Sequence, residues 1–252
     1  MKRSLIKFKI FDNYPFLIHK VFDKYIGNID FRFDKRGIVL KNRQKIAKIL
    51  KINLKNIYEM DQVHGSNIKI IDKSLLQIIK DNQINDSDGL ITNLRNIFLL
   101  VKVADCFPVL YFDPKKKVVA ICHVGWRGAK EKIFVKVLQK MVTNFNSDLS
   151  DILIAVGPGI RACCYKHKNL VQQQDNLWQP FIKKGKEGLI SIDIPGFILK
   201  NLKKAGIRQK NIEISDICTC CSGNFFSHFR SLKTGEPEKR FAAIIGINNE
   251  KN

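Results

Sequence analysis

The sequence of 252 residues lacks any apolar run long enough to cross a bilayer as a helix. Its longest apolar segments, 96–103 and 118–124, have the length of β-strands. An apolar leader is also missing, because Lys7, Lys9 and Asp12 interrupt the N-terminal region. Low-complexity linkers, internal repeats and shifts in composition are absent too. We therefore expect no membrane span, no secretory signal and one domain over residues 1–252.

Acidic side chains are few relative to basic ones, with 23 Asp and Glu against 44 Lys and Arg and a formal net charge of +21. An excess of this kind is typical of proteins that bind nucleic acid. The basic residues, however, are mostly lysines scattered along the chain, and no aromatic-interleaved nucleic-acid motif is present. We favour a solvated lysine surface without a specific nucleic-acid partner. Its positive field would still attract anionic substrates.

The cysteines are odd in number and follow no export signal, which favours reduced thiols in the cytoplasm over a disulfide framework. They lie at positions 106, 122, 163, 164, 218, 220 and 221. Cys122 should point to the strand face opposite His123 and pack in the core. We interpret Cys163, Cys164 and the cluster 218–221 as small buried apolar residues. A second metal site is the alternative for that cluster, but one short loop would not supply four tetrahedral ligands.

Apolar periodicity predicts a mixed α+β fold. Helical spacing predicts helices over 40–54, 129–145, 175–186 and 194–204. Apolar runs bounded by turn residues predict strands at 63–71 (broken by His64-Gly65-Ser66), 89–92, 98–103, 109–112, 118–122, 152–156, 212–217 and 241–247. Strands outnumber what an alternating parallel sheet needs, so we predict layers built on mixed sheets.

Three segments place a metal-binding side chain at a strand end beside turn residues: Asp-Gln-Val-His-Gly-Ser at 61–66, Val-Ala-Asp-Cys-Phe-Pro at 103–108 and Ile-Cys-His-Val-Gly-Trp-Arg-Gly at 121–128. Imidazole and thiolate together favour Zn²⁺ over Mg²⁺ or Ca²⁺. Two histidines and one cysteine leave one coordination position open, as in catalytic zinc sites. His64, Cys106 and His123 are thus candidate ligands. Because they lie far apart in sequence, the alternative is two ordinary polar histidines at strand ends.

These segments resemble the YfiH/YlmD family, as do 86–92, 157–160, Cys164-Tyr165, Cys218-Thr219 and 225–227. The matches follow the family order from about residue 42 to 245. The family, formerly labelled laccase-domain or multicopper polyphenol oxidoreductase, is understood as purine nucleoside phosphorylases with adenosine deaminase activity.

The resemblance implies a layered α/β/β/α sandwich with mixed β-sheets. It implies a zinc ion held by His64, Cys106 and His123. It also implies adenosine, inosine, guanosine and 5′-methylthioadenosine as substrates, with phosphate as co-substrate. The oligomeric state stays open.

Arginines are the candidates for the phosphate and nucleoside contacts, because a guanidinium binds oxyanions bidentately. Arg127 and Arg161 each follow a glycine-containing turn. Arg43 matches the Asn-Arg pair of the family, and Arg230 ends the segment 227–230. A surface salt bridge or solvation is the alternative role.

Two carboxylates are further candidates. Asp105 precedes Cys106 and is expected to orient a ligand histidine or hold a proton, although strand alternation would turn it away from the metal. Asp88 is the second candidate for such a carboxylate and is also a candidate in the substrate site. Capping the Gly89 turn is its alternative.

The chain departs from the family pattern at several points. Residues 24–39 lack the Gly-Gly-Val-Ser-like turn and the Asn-Leu-Gly segment. Ser-His-Phe-Arg at 227–230 replaces Ser-Tyr-Arg-Arg, and Lys239-Arg240 replaces Gly-Arg. These differences leave the nucleoside preference open. His19 and His167 belong to no motif and are expected to be structural.

Two other enzyme classes remain as alternatives. One cysteine and two histidines also suit a trigonal Cu²⁺ site of a phenol oxidase, although the chain has no Cys-His or His-x-His clusters for further coppers. A hydrolase with Cys106 as nucleophile and His123 as base is the other. A thiolate bound to zinc would not serve as that nucleophile.

Overall fold

A computed structural model describes residues 5–79, 81–169 and 171–249. The strands are β1 (Leu17–Val21), β2 (Ile57–Met60), β3 (Ile68–Ile70), β4 (Gln83–Ile84), β5 (Gly89–Thr92), β6 (Phe98–Val103), β7 (Phe107–Asp113), β8 (Val118–Val124), β9 (Leu153–Val156), β10 (Lys166–His167), β11 (Ile182–Lys184), β12 (Ile190–Ile192), β13 (Ile212–Ile214) and β14 (Phe241–Ile247). The α-helices are α1 (Arg36–Leu50), α2 (Lys73–Ile78), α3 (Trp126–Lys130), α4 (Ile133–Phe145), α5 (Ile194–Lys204) and α6 (His228–Thr234).

Two mixed sheets form the centre of the fold. The first has five strands in the order β1-β14-β6-β2-β4, and the second has six in the order β13-β9-β7-β8-β5-β3. A small sheet of β10, β12 and β11 lies beside them. In the six-stranded sheet, β8 is antiparallel to both β5 and β7, and His123 lies opposite Pro108. This pairing brings the end of β8 next to the start of β7.

Both central sheets are covered on both faces, which explains why every residue of β6, β7, β8 and β14 is buried. Side chains alternate along each strand. Leu99 and Ile121 fill the space between the sheets, Leu100 packs on the α1 side, and Ala120 packs on the α4 side. The layers therefore run helix, sheet, sheet, helix, which confirms the predicted α/β/β/α sandwich.

Several predicted boundaries move. The first helix ends at Leu50, because Lys51 turns left-handed with φ 57°. The predicted helix 129–145 is two helices, separated at Lys132 with φ 54°. The helix predicted over 175–186 is wrong: this segment forms a short 3₁₀ helix, Gln179–Phe181, and then β11, which pairs with β12. The periodic pattern there comes from side chains packed on α5 and not from a helix.

Several strand predictions also need correction: the strand predicted over 212–217 ends at Ile214, and β4, β10, β11 and β12 were not predicted. Of the segment 63–71, only Ile68–Ile70 is a strand, and His64 lies in the preceding loop. The edge strand β1 had no distinctive sequence pattern and was not predicted. Within the described ranges, no helix has both the length and the hydropathy of a membrane span.

Candidate metal centre

His64, Cys106 and His123 come from three separate parts of the chain and meet at one point. Their ligand atoms all lie within 4.8 Å of one another. The two imidazole rings are 4.7 Å apart at an interplanar angle of 82°. Gly125 lies against them, and a Cβ there would be 3.0 Å from the Cys106 sulfur. The absence of a side chain at position 125 thus leaves room for the thiolate.

Left-handed backbone conformations bring two of these residues into place. His64 has φ 60° and Asp105, just before Cys106, has φ 83°. Non-glycine residues adopt this region rarely and at an energetic cost, so strong local contacts must hold it. The contacts of Asp88 and Asp105 hold these two turns.

Asp88 lies behind the histidines and connects them. One carboxylate oxygen accepts a hydrogen bond from His123 Nδ1 at 2.7 Å and one from the backbone N–H of His64 at 3.2 Å. The other accepts from the backbone N–H groups of Gly65 at 2.7 Å and Val63 at 3.3 Å. The bond to Nδ1 leaves His123 Nε2 free to bind a metal, as second-shell carboxylates do in zinc sites.

This contact agrees with Asp88 as a candidate carboxylate beside a ligand histidine, and not with its predicted place in the substrate site. The residue is fully buried behind the ring of His123 and does not line the cavity described below. Burial opposes its ionisation, but the hydrogen bond and charge of His123, followed by the N–H groups of Gly65 and Val63, lower the pKa of the carboxyl. Asp88 therefore stays ionised and orients His123.

The electrostatics of the cluster favour a bound cation. Burial opposes ionisation of the Cys106 thiol, but His123 and His64 lower its pKa to about 6. Burial likewise disfavours the charged imidazole of His123, yet Cys106 and Asp88 raise its pKa to about 9. A divalent ion would take the place of the His123 proton beside the thiolate. The N₂S donor set fits Zn²⁺ with one open position, and it also fits trigonal Cu²⁺.

Asp105 faces away from the metal ligands. Its carboxylate accepts hydrogen bonds from the hydroxyls of Thr219 at 2.6 Å and Ser227 at 3.0 Å, and from the backbone N–H of Phe229 at 2.6 Å. The expectation that Asp105 orients a ligand histidine is therefore wrong, because the hydrogen bonds of its carboxylate in the described structure go to Thr219, Ser227 and Phe229. Asp105 therefore joins the turn that carries Cys106 to the C-terminal loop.

A cavity of about 380 Å³ opens at the cluster, within the usual range of roughly 300–1,000 Å³ for small-molecule sites. Cys106 and His123 lie in its wall, and the ring of Tyr165 lies 4.9 Å from that of His167, which is 5.3 Å from that of Phe229. The lining residues are Arg32, Gln62, His64, Lys102, Val103, Ala104, Asp105, Cys106, Phe107, His123, Val124, Gly125, Trp126, Arg127, Ile160, Tyr165, His167, Ile194, His228, Phe229, Leu232 and Arg240.

Arg127 is the predicted arginine that lines this cavity. Its guanidinium lies 4.6 Å above the centre of the Trp126 ring. The other Arg and Lys side chains of the lining have acidic partners: Arg32 pairs with Asp30, Lys102 with Glu59 and Arg240 with Glu238. No described carboxylate pairs with Arg127, so it is available to an anionic ligand.

The remaining predicted arginines do not line the cavity. Arg43 borders a different pocket and forms a bidentate ion pair with Glu59 at 2.8 and 2.9 Å. Arg161 donates to the carbonyl of Ser215 at 2.8 Å. Arg230 donates to the carbonyls of Thr219, Cys220 and Phe225 and to Glu236. Backbone carbonyls in loops need donors, and Arg161 and Arg230 satisfy several of them. The substrate contacts of Arg43, Arg161 and Arg230 stay predictions.

Other cavity residues were missed by sequence reasoning. Arg32 and Arg240 come from opposite ends of the chain, and His167 was expected to be structural. Tyr165, Phe229 and Arg240 did carry a signal, since they lie in the segments 164–165, 227–230 and 239–240 that were compared with the family pattern. His19, by contrast, is buried against Phe11 and has a structural place as expected.

The cysteines also depart in part from their predicted roles. Cys122 is buried on the opposite strand face, with its sulfur 3.5 Å from the hydroxyl of Tyr111, as predicted. Cys163 and Cys221, however, are exposed and not buried apolar residues. Their sulfurs lie 3.9 Å apart, although 58 residues separate them in sequence.

Comparison with known proteins supports the same grouping. The family model described as multi-copper polyphenol oxidoreductase laccase matches residues 26–248. A protein of Clostridium acetobutylicum named purine nucleoside phosphorylase is 32% identical over 197 residues, which is 77% of this chain and 78% of that one. A Mus musculus protein of the same name is 26% identical over 212 residues, 79% of this chain, and this chain spans only 46% of its length.

Among solved structures, YlmD from Geobacillus stearothermophilus superposes with a TM-score of 0.86 at 26% identity, covering 99% of this chain and 98% of that one. Fold, family model and relatives agree, and the chain belongs to the YfiH/YlmD family, the group described as multi-copper polyphenol oxidoreductase laccase.

Proposed function

We propose that this chain is a zinc-dependent purine nucleoside phosphorylase that also deaminates adenosine. Its substrates would be adenosine, inosine, guanosine and 5′-methylthioadenosine, with phosphate as co-substrate. The observation that carries the proposal is the meeting of His64, Cys106 and His123 in the wall of a cavity. The same wall holds Arg127, which has no acidic partner among the described residues. The names of the relatives support the choice of reaction. The reduced thiols suit a cytoplasmic location.

The cavity wall suits a purine base. Tyr165, His167 and Phe229 form a run of rings in edge contact, on which a flat heterocycle can stack. Burial, followed by the nearby Cys106, raises the pKa of Tyr165. Its phenol therefore keeps its proton and can donate a hydrogen bond to a purine nitrogen or to a sugar oxygen.

Phosphate needs a cation close to the anomeric carbon of the nucleoside. Arg127 supplies a planar guanidinium on the cavity wall, held in orientation by stacking on Trp126. The net charge of +21 would raise the local concentration of phosphate around the protein. Arg127 thus binds and orients the attacking anion in this proposal.

The protein side of the metal chemistry lies in positioning. A zinc ion at these ligands would act as a Lewis acid toward the reacting group. Asp88 holds the ring of His123 and the backbone of the His64 loop in one arrangement through four hydrogen bonds. Such pre-organisation keeps the ligand geometry fixed during turnover.

The direct test incubates the purified protein with adenosine, with and without phosphate, and separates the products by chromatography. Phosphorolysis yields adenine and ribose 1-phosphate only when phosphate is present, whereas deamination releases ammonia in either condition. The inosine from deamination should accumulate without phosphate and be converted to hypoxanthine with it. We expect both product sets. Complete recovery of adenosine from metal-loaded protein would refute the proposal.

Variants connect the activity to the cluster. Cys106→Ala and His123→Ala should abolish both reactions while the far-UV circular dichroism spectrum stays unchanged. Cys122→Ala is the matched control, because Cys122 is next to His123 but packs on the opposite strand face. Full activity in Cys106→Ala would remove the metal mechanism.

The family description and the donor set also favour a second candidate, a copper-dependent phenol oxidase. Metal analysis and oxygen uptake with a phenol distinguish it from the phosphorylase. Zinc content without phenol-dependent oxygen uptake would exclude the phenol oxidase.

The low pKa of Cys106 beside His123 also suits a cysteine hydrolase. Alkylation of Cys106 in zinc-free protein that leaves turnover of added ester substrates unchanged would exclude that reading.

A further inference from the structure

Four cysteine sulfurs meet at a second point, outside the cluster described above. Cys163, Cys164, Cys218 and Cys221 each offer a sulfur, and these atoms all lie within 4.8 Å of one another. The Cys163 sulfur lies 3.9 Å from that of Cys164 and 3.9 Å from that of Cys221. In a tetrahedral site with Zn–S bonds of about 2.3 Å, neighbouring sulfurs are about 3.8 Å apart. The sulfurs thus already have nearly the spacing that one zinc ion requires.

The sheet topology explains why distant cysteines meet here. Strands β9 and β13 are parallel neighbours in the six-stranded sheet, so the loops that follow them leave the same edge. Cys163 and Cys164 lie in the first loop, and Cys218 and Cys221 lie in the second. A bridge between Gly159 and Cys218 joins the two loops at their base. The loop of Cys218 supplies two of the four ligands, and the loop of Cys163 supplies the other two.

The second loop has the local features of a metal-binding turn. Two residues separate Cys218 from Cys221, which is the spacing of many structural zinc sites. The backbone N–H of Arg161 points at the Cys218 sulfur at 3.4 Å, and the carbonyl of Cys218 accepts from the N–H of Ser222 at 3.0 Å. An N–H aimed at sulfur stabilises a thiolate and orients it as a ligand.

We propose that Cys163, Cys164, Cys218 and Cys221 bind a second zinc ion in a closed, structural site. Four thiolates fill the tetrahedron and leave no position for substrate, as in structural zinc sites. Tetrahedral S₄ coordination selects zinc or iron among common metals. A multinuclear iron–sulfur cluster inserts sulfide between its cysteines and therefore needs them farther apart.

The proposed ion would connect the loops that form the catalytic cavity. Cys164 precedes Tyr165 of the cavity wall, and Cys218 precedes Thr219, whose hydroxyl donates to Asp105. Asp105 in turn shapes the turn before Cys106. Both loops consist of turns and bends with little regular structure, so a metal crosslink supplies the rigidity that the hydrophobic core does not.

The first experiment measures metals per chain by mass spectrometry on protein purified with a reductant. We expect two metal ions per chain, with zinc accounting for the four-cysteine site. Cys163→Ser and Cys221→Ser should each remove one zinc and leave the other metal in place. Cys220→Ser is the matched control, because Cys220 lies in the same loop but outside the four-sulfur set, and it should keep both ions. An unchanged metal count in Cys163→Ser and Cys221→Ser would overturn the proposal.

A second measurement needs no substitution and therefore does not depend on a variant folding. Cys163 and Cys221 are exposed, so iodoacetamide should modify them readily unless a metal holds their sulfurs. We expect peptide mass spectrometry to show them protected in the protein as isolated and modified once a strong chelator is added. Equal modification with and without chelator, a disulfide between the two loops, or iron in place of zinc would each contradict the assignment.

Discussion

Replacing Asp88 with Asn tests how the metal centre is held together. The side chain keeps its size, but one of its two oxygens becomes an NH₂ group that no longer accepts hydrogen bonds. One oxygen of Asp88 serves His123 and His64, and the other serves Gly65 and Val63. In either orientation of the Asn amide, its NH₂ group faces two N–H donors and cannot accept their hydrogen bonds. One orientation releases the ring of His123, and the other releases the loop that carries His64.

The size of the effect follows from these contacts. A hydrogen bond to a charged group contributes about 1.5–3 kcal/mol, so losing two destabilises the protein by roughly 3–6 kcal/mol before relaxation. Loss of a second-shell partner lowers metal affinity by about 10- to 100-fold. We therefore expect Asp88→Asn to bind zinc that much more weakly in competition with a chromophoric chelator, and to unfold at lower temperature.

Asp113→Asn provides the matched control. Asp113 is also fully buried in β7, but its Oδ1 caps the turn after that strand by accepting from the N–H groups of Lys115 and Lys116 at 2.9 and 3.0 Å. Its substitution removes a buried carboxylate without touching the metal ligands. Wild-type zinc affinity in Asp88→Asn, or an equal loss in Asp113→Asn, would refute the assigned role of Asp88.

Two further predictions concern the roles of charged side chains, one in a buried ion pair and one in the cavity wall. Burial opposes ionisation of Glu59, but Lys102 and Arg43 lower the pKa of its carboxyl below 4.5 in the folded state. The ionised carboxylate therefore stabilises the fold at neutral pH, and this stabilisation is lost as pH falls through the folded-state pKa. Glu59→Gln should lower the free energy of unfolding by about 3–5 kcal/mol at neutral pH. Urea unfolding at several pH values should also show a smaller loss of stability on acidification than in the wild type, and an unchanged pH dependence would contradict this. Arg127→Ala should raise the KM for phosphate by about 10- to 100-fold, whereas Arg161→Ala should leave it unchanged in steady-state kinetics; the reverse order would exchange their roles.

Much of the fold was predictable because it follows local rules. The apolar segments 89–92, 98–103 and 241–247 are strands with the predicted bounds, and Ile194–Lys204 is a helix with the predicted bounds. In each, side-chain periodicity and neighbouring turn residues agree with the tertiary environment. The helix prediction for 175–186 was wrong because part of this segment pairs with β12 as a strand, despite its helix-like apolar spacing.

The candidate metal ligands could be named from the sequence because each lies in a motif that resembles the family. The roles of charged residues were harder to predict. Arg43, Arg161 and Arg230 have the right chemistry for phosphate, but Glu59 and backbone carbonyls occupy their guanidinium groups. A side chain's partner depends on which segments the fold brings near it, and sequence position does not reveal this.

Cysteine patterns show the same division between local and long-range information. Chain order alone determined the alternation that places Cys122 in the core, because neighbouring side chains on a strand point to opposite faces. The four-cysteine cluster is decided only by the tertiary structure, since it depends on the parallel pairing of β9 with β13. Likewise, the position of Asp88 behind His123 exists only because β5 and β8 are adjacent. Local periodicity and turn chemistry are encoded within a few residues, whereas these sites arise from contacts between segments far apart in the chain.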